Sequence, residues 1–110
     1  MIYEHHREFV VGKNKAGVIK LENHSENVED VDIFCGFVSQ EKFKFILENV
    51  SDSAFEKQQI DISDYEYDEI PNESVDWFID LIGENKDKCP VFCKALEYAK
   101  ESGGIIQVCF

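Results

Sequence analysis

Short β-type runs alternate along this chain with stretches whose apolar residues recur every three or four positions, and that alternation limits the fold most. Glu8-Phe9-Val10-Val11 and Val18-Ile19-Lys20-Leu21 flank Gly12-Lys13-Asn14-Lys15-Ala16-Gly17, a turn by composition, and together they predict a β-hairpin. The polar stretch 22–30 reads as a loop. Asp32 to Val38 is apolar on both parities and predicts a strand buried on both faces. Ser39 can cap a helix from Gln40 to about Val50, with Phe43, Ile46, Leu47 and Val50 on one stripe. Gln58 to Ile62 reads as a strand with Ile60 and Ile62 facing one side, followed by a turn or bulge at Ser63-Asp64 and a loop to Pro71. Asn72 is a suitable N-cap for a second helix, Glu73 to about Ile82, ended by Gly83 and Asn85. Val75, Phe78, Ile79 and Ile82 form its apolar stripe. A third helix follows Pro90, carries Phe92, Ala95, Leu96 and Ala99, and stops at Gly103-Gly104. The run 105–110 reads as a strand inside the sheet. The expected fold is α+β: a mostly antiparallel sheet with about three helices packed on it, as a single domain over residues 1–110.

Charge is distributed unevenly over this pattern. Twenty-three acidic residues face eleven basic ones, a net charge of −12. That balance excludes binding to DNA, RNA or an anionic membrane through a general basic surface. The segment from Met1 to Leu21 carries four basic and two acidic residues, so the excess of acid lies in the remainder. Leu21 to Glu41 has no Lys or Arg and holds Glu22, Glu26, Glu29, Asp30, Asp32 and Glu41. Gln58 to Asn85 also has none and holds nine acids. In the second helix Glu73, Asp76, Asp80 and Glu84 are spaced three, four and four apart, which places them on one face. Like charges in such a row repel, and Glu84 sits near the negative end of the helix dipole, so helix stability does not account for the row. Upstream, Asp61 precedes Asp64-Tyr65-Glu66-Tyr67-Asp68-Glu69, where acids flank two tyrosines. Tyrosine offers apolar area and a hydroxyl, a combination enriched at protein interfaces. Trp77 lies beside the acidic row. These residues are the candidate partner-binding set; the competing reading is a solvated acidic face with the aromatic residues covering the core.

Motifs for chemistry are absent. His5, His6 and His24 form no local nucleophile–base arrangement, and there is no P-loop, dinucleotide turn, His-Glu-x-x-His or EF-hand spacing. No catalytic residue, metal ligand or cofactor is assigned. Cys35 and Cys109 lie in apolar runs and read as small core residues, while Cys89 and Cys93, four apart, share a helix face without a Cys-x-x-Cys spacing. All four are expected to be free thiols. The N-terminus lacks the apolar core of a signal peptide, and no apolar run reaches the ~20 residues of a membrane span. A cytoplasmic, non-membrane location is the expectation.

Small size, clustered carboxylates beside tyrosines and no catalytic motif resemble the bacterial toxin-immunity proteins of the colicin and contact-dependent-inhibition type. The resemblance implies an inhibitor, not an enzyme, that binds a cognate toxin domain and blocks its active site. A toxin nuclease carries basic residues to hold phosphates, so a basic nuclease domain is the expected partner. Two alternatives use the same residues differently. A phage-type DNA mimic would spread acids along one elongated surface against a restriction or defence nuclease. A small enzyme or ligand-binding domain would show a deep apolar pocket with convergent polar groups.

Overall fold

The computed structural model describes residues 6–23 and 31–110. Strand β1 (Arg7–Gly12) sets the frame because its side chains alternate between two environments. Phe9 and Val11 point into the core, and both are fully buried. Around β1 run β2 (Ile33–Val38), β4 (Ile106–Cys109) and β3 (Tyr67–Ile70), in the spatial order β2-β1-β4-β3, every pairing antiparallel. Register builds two inward rows across the sheet. One is Gly36, Phe9, Val108 and Asp68; the next is Phe34, Val11, Ile106 and Ile70. The opposite face carries the row Phe37, Glu8, Cys109 and Tyr67.

Helices cover the inward rows. Helix α5 (Pro90–Ser102) lies on the sheet through Phe92, Ala95, Leu96 and Ala99, with Phe92 stacked on Phe9 at 4.5 Å between ring centroids. Gly36 is required beneath it, because a Cβ there would collide with Val91. Helix α4 (Val75–Ile82) packs on α5, with Phe78 edge-on to Phe92 at 5.6 Å. Helix α2 (Gln40–Ile46), a π-helical turn (Leu47–Ser51) and α3 (Asp52–Gln58) form one continuous rod that buries Phe43, Ile46, Val50 and Ala54. Phe110 closes the core against Phe9 (5.0 Å) and Phe43 (5.5 Å). The α+β class, the antiparallel sheet, the Ser39 cap, which accepts from the Lys42 amide at 3.3 Å, and the central position of β4 are as expected.

Several local expectations are overturned. The hairpin is absent: residues 18–21 belong to helix α1 (Lys15–Glu22). Asn14 caps α1 by accepting from the Gly17 amide at 3.0 Å, and both sides of β1 are already taken by β2 and β4. Gly17 packs so tightly that a Cβ would overlap the Asp32 carbonyl oxygen. Asp32 also accepts from Asn14 Nδ2 and Lys20 Nζ, and these two contacts lower its pKa. β2 is an edge strand and not doubly buried, for Phe37 is 61% exposed.

The expected strand 58–62 is a helix end followed by coil. Gln59 adopts the left-handed conformation (φ 56°), and the amides of Gln59 and Ile60 return to the carbonyls of Phe55 and Ala54, a Schellman-type stop. Ile60 and Ile62 are both buried, but they pair with no strand among the described residues. The loop expected over 63–71 contains β3 instead. Its period is masked because Asp68 occupies an inward position that an apolar residue would normally take. Asn72 does not cap α4: its side chain donates to the carbonyls of Ala99 (2.8 Å) and Gly104 (3.0 Å), and a 3-10 turn, Asn72–Ser74, leads into the helix. Cys35 and Cys109 are half-buried and lie on the sheet face away from α5, because their register partners Val10 and Glu8 alternate with the inward Phe9 and Val11.

Candidate partner-binding surface

The acids from Asp61 to Glu69 divide into those bound within the fold and those facing solvent. Asp64 belongs to the first group. It takes two hydrogen bonds from Arg7, Nε to Oδ1 at 3.0 Å and Nη2 to Oδ2 at 2.7 Å. The Arg7 side chain is 8% exposed, donates also to Gln40 Oε1 at 2.9 Å, and lies 4.2 Å from the centre of the Phe43 ring. This clasp joins β1, α2 and the loop before β3. Asp68 is likewise internal: it accepts from the amides of Asp61 (2.8 Å) and Glu69 (2.7 Å). Asp61 Oδ1 accepts from Ser63 Oγ at 2.7 Å. All three carboxylates are thus engaged within the fold, Asp64 by Arg7, Asp68 by two backbone amides and Asp61 by a neighbouring serine.

Tyr65, Glu66, Tyr67 and Glu69 are exposed. Tyr65 sits at φ 63° at a turn closed by the Glu66 amide on the Ser63 carbonyl, and its own amide donates to the Phe110 carbonyl at 2.9 Å. Tyr67 donates its hydroxyl to Glu69 Oε1 at 3.2 Å. Partial burial, and then the Glu69 carboxylate, push this phenol up to about 12. Tyr67 and Glu69 point to the sheet face opposite α5. They are therefore on a different layer from α4 and do not extend its acidic row.

On α4, Val75, Phe78 and Ile82 are buried and Asp76 and Asp80 face outward. Glu73 precedes the helix in the 3-10 turn, and Glu84 follows Gly83 (φ 54°), which ends it; both are exposed. The continuous four-acid helical row expected from spacing is thus broken at both ends, although the four remain exposed around one short element. Asp76 meets Lys100 at 3.0 Å, with both side chains largely in water. Trp77 is half-buried and packs against the core edge-on to Phe78 at 4.9 Å.

The rod α2–α3 presents a feature the charge pattern does not reveal. Leu47 and Phe55 are 42% and 63% exposed and border a groove of about 270 Å³ shared with Asp52, Glu56, Asp61 and Ile62. The signal available in sequence is the spacing of Leu47, Ser51 and Phe55, two steps of four. Another cavity, of about 120 Å³, lies between α1 and Gly103-Gly104. Among the described residues no three His, Cys, Asp or Glu side chains converge as a metal site, and no helix is long and apolar enough to cross a membrane. Glu26, Glu29, Asp30, His5 and His24 lie outside the described residues. No protein family, curated protein or solved structure matches this chain.

Proposed function

We propose that this chain is an acidic protein inhibitor of the toxin-immunity class, binding a basic toxin domain such as a nuclease and covering its active site. The observation that carries the reading is the outward set Glu73, Asp76, Asp80 and Glu84 around α4, opposite a wholly apolar inner face. Carboxylates held on a folded element and directed to water add little to stability. They supply a negative field that raises the rate of encounter with a cationic surface. A nuclease must present such a surface to its own substrate. An inhibitor using the same cations competes with nucleic acid directly.

The DNA-mimic reading fits less well. An eight-residue helix such as α4 is about 12 Å long, which matches few successive phosphates. The tyrosines and the clasped acids Asp64 and Asp68 lie off its axis. Compact dimensions of 40 × 34 × 24 Å also favour a localised patch over an elongated acidic track.

The test reverses Asp80 and Glu84 to Lys, sparing Asp76 because its reversal would also break the contact with Lys100. The partner, identified by co-purification from the native host, is then mixed with each protein in stopped flow. The double reversal should fold normally and associate about tenfold more slowly at low salt, with a shallower salt dependence. An unchanged low-salt association rate would remove α4 from the interface and take away the support for this reading.

A further inference from the structure

We propose that the groove between the π-helical turn and residues 61–63 docks a basic protein segment, taking one large apolar side chain flanked by arginine or lysine; this rests on the reading of the chain as a binder of a basic partner. Ala54 is fully buried while the adjacent Phe55 is 63% exposed, so the rod gives its core position to the smaller residue. A buried Phe is worth about 1.5–3 kcal/mol over an exposed one, so this arrangement forgoes burial within the fold. Leu47, two turns earlier, is exposed on the same groove, and the buried Ile62 lies at its wall. Single exposed apolar residues are ordinary, but two that border one concavity form an anchor site.

Charge selects the occupant. Asp52, Glu56 and Asp61 line the groove, and among the described residues its lining includes no Lys or Arg. Asp52 and Glu56 are one turn apart on α3, the spacing at which one guanidinium can reach both. A second copy of this chain is a poor occupant, because a two-fold contact would bring these acids together on molecules that each carry −12.

The groove is also preformed. Ser51 Oγ lies 3.4 Å from the Ile46 carbonyl oxygen, across the π turn, and 2.6 Å from that of Ile62, which ties the helical wall to the opposite wall. Asp61 is fixed by the hydrogen bond its carboxylate accepts from Ser63 and by the one its backbone N–H donates to the Asp68 carboxylate. Such a site orders few groups on binding, which lowers the entropic cost of association. π turns recur at functional sites in helices, and here the turn places Leu47 and Ser51 beside the concavity.

The probe is acetyl-Arg-Leu-Arg-amide, titrated into isotopically labelled protein and followed by amide NMR shifts, with acetyl-Glu-Leu-Glu-amide as control. The basic peptide should shift residues 47–56 and 61–63, and the acidic peptide should not. Phe55→Ser, at an exposed position, should retain the fold and weaken binding about tenfold, the equivalent of losing one partly buried aromatic contact. Glu56→Lys should weaken it as well. Asp80→Lys with Glu84→Lys should leave the shifts centred on residues 47–56 and 61–63, so a failure at α4 and a failure at the groove are read separately. Shifts spread over all acidic surfaces and indifferent to Phe55→Ser would overturn the groove proposal. So would an absence of groove shifts, or self-association that disappears in Phe55→Ser.

Discussion

Replacing Asp64 by alanine should unfold this protein at a markedly lower temperature. The carboxylate supplies two of the three side-chain hydrogen bonds seen on Arg7, leaving the guanidinium with Gln40 and the Phe43 ring. Removing one partner of a buried pair costs about 3–5 kcal/mol, because the remaining charge stays desolvated. Here Arg7 is 8% exposed but Asp64 is 34% exposed, so water can enter from the Asp64 side and recover part of the loss. The expected cost is therefore about 2–3 kcal/mol, a sizeable share of the roughly 5–15 kcal/mol of a domain this size. At roughly 4 °C per kcal/mol, the melting temperature should fall by about 10 °C. Thermal and urea unfolding at neutral pH would measure both quantities. The double change Arg7→Met with Asp64→Leu should lose less than Asp64→Ala, since it removes the stranded charge. A loss below about 0.5 kcal/mol for Asp64→Ala would put the pair among ordinary surface contacts and refute the argument from burial. The single variant should also bind a partner with unchanged rates below its melting range, because the carboxylate faces Arg7.

Gly17→Ala should cost about 2 kcal/mol in urea unfolding, because its methyl group would overlap the Asp32 carbonyl and push α1 off the sheet. Thiol titration in denaturant without reductant should count four free cysteines, and in the native state Cys89, 1% exposed, should be alkylated most slowly. Burial pushes the Cys89 thiol up to about 12 and Cys109 up to about 11, from an ordinary 9.0. The unfolded chain therefore releases these protons near pH 9 while the folded chain keeps them, so their contribution is complete below pH 9 and is lost as pH rises toward 11–12. The melting temperature should fall across that window, and Cys89→Ala with Cys109→Ala should flatten the fall.

Residues whose partners are close in sequence were readable in advance. Ser39 caps the next turn, the α5 apolar stripe and, apart from the partly buried Ile79, the α4 stripe are buried, and Gly103 stops α5 in the left-handed conformation. Several misreadings involve residues whose conformation is decided by distant ones, whereas the strand expected over 58–62 is stopped locally by Gln59 and Ile60 returning to Phe55 and Ala54, and Leu47, expected on the apolar stripe, is exposed at the π turn. Val18 to Leu21 has β-type composition, but β1 finds its second neighbour in residues 106–109, so that segment is free to follow the Asn14 cap into a helix. Asp68 hides β3 because its inward carboxylate is satisfied by an amide seven residues away. Asn72 has cap chemistry and spends it on the end of α5. The candidate surface follows the same division. Acid composition was legible, but composition does not tell Asp64, held by an arginine 57 positions earlier, from Asp80, which faces water.

The strand order carries a consequence for synthesis. β4 lies between β1 and β3, and its pairing with β1 joins Glu8 to Cys109. Until residues 106–109 leave the ribosome, β1 has an open edge, β3 has no neighbour, and the ring cluster of Phe9, Phe43 and Phe110 lacks a member. The loop closed by this pairing spans about a hundred residues, the kind of contact that slows folding most. The sheet can therefore be completed only after residues 106–109 are available, so its closure is expected as a late event in folding.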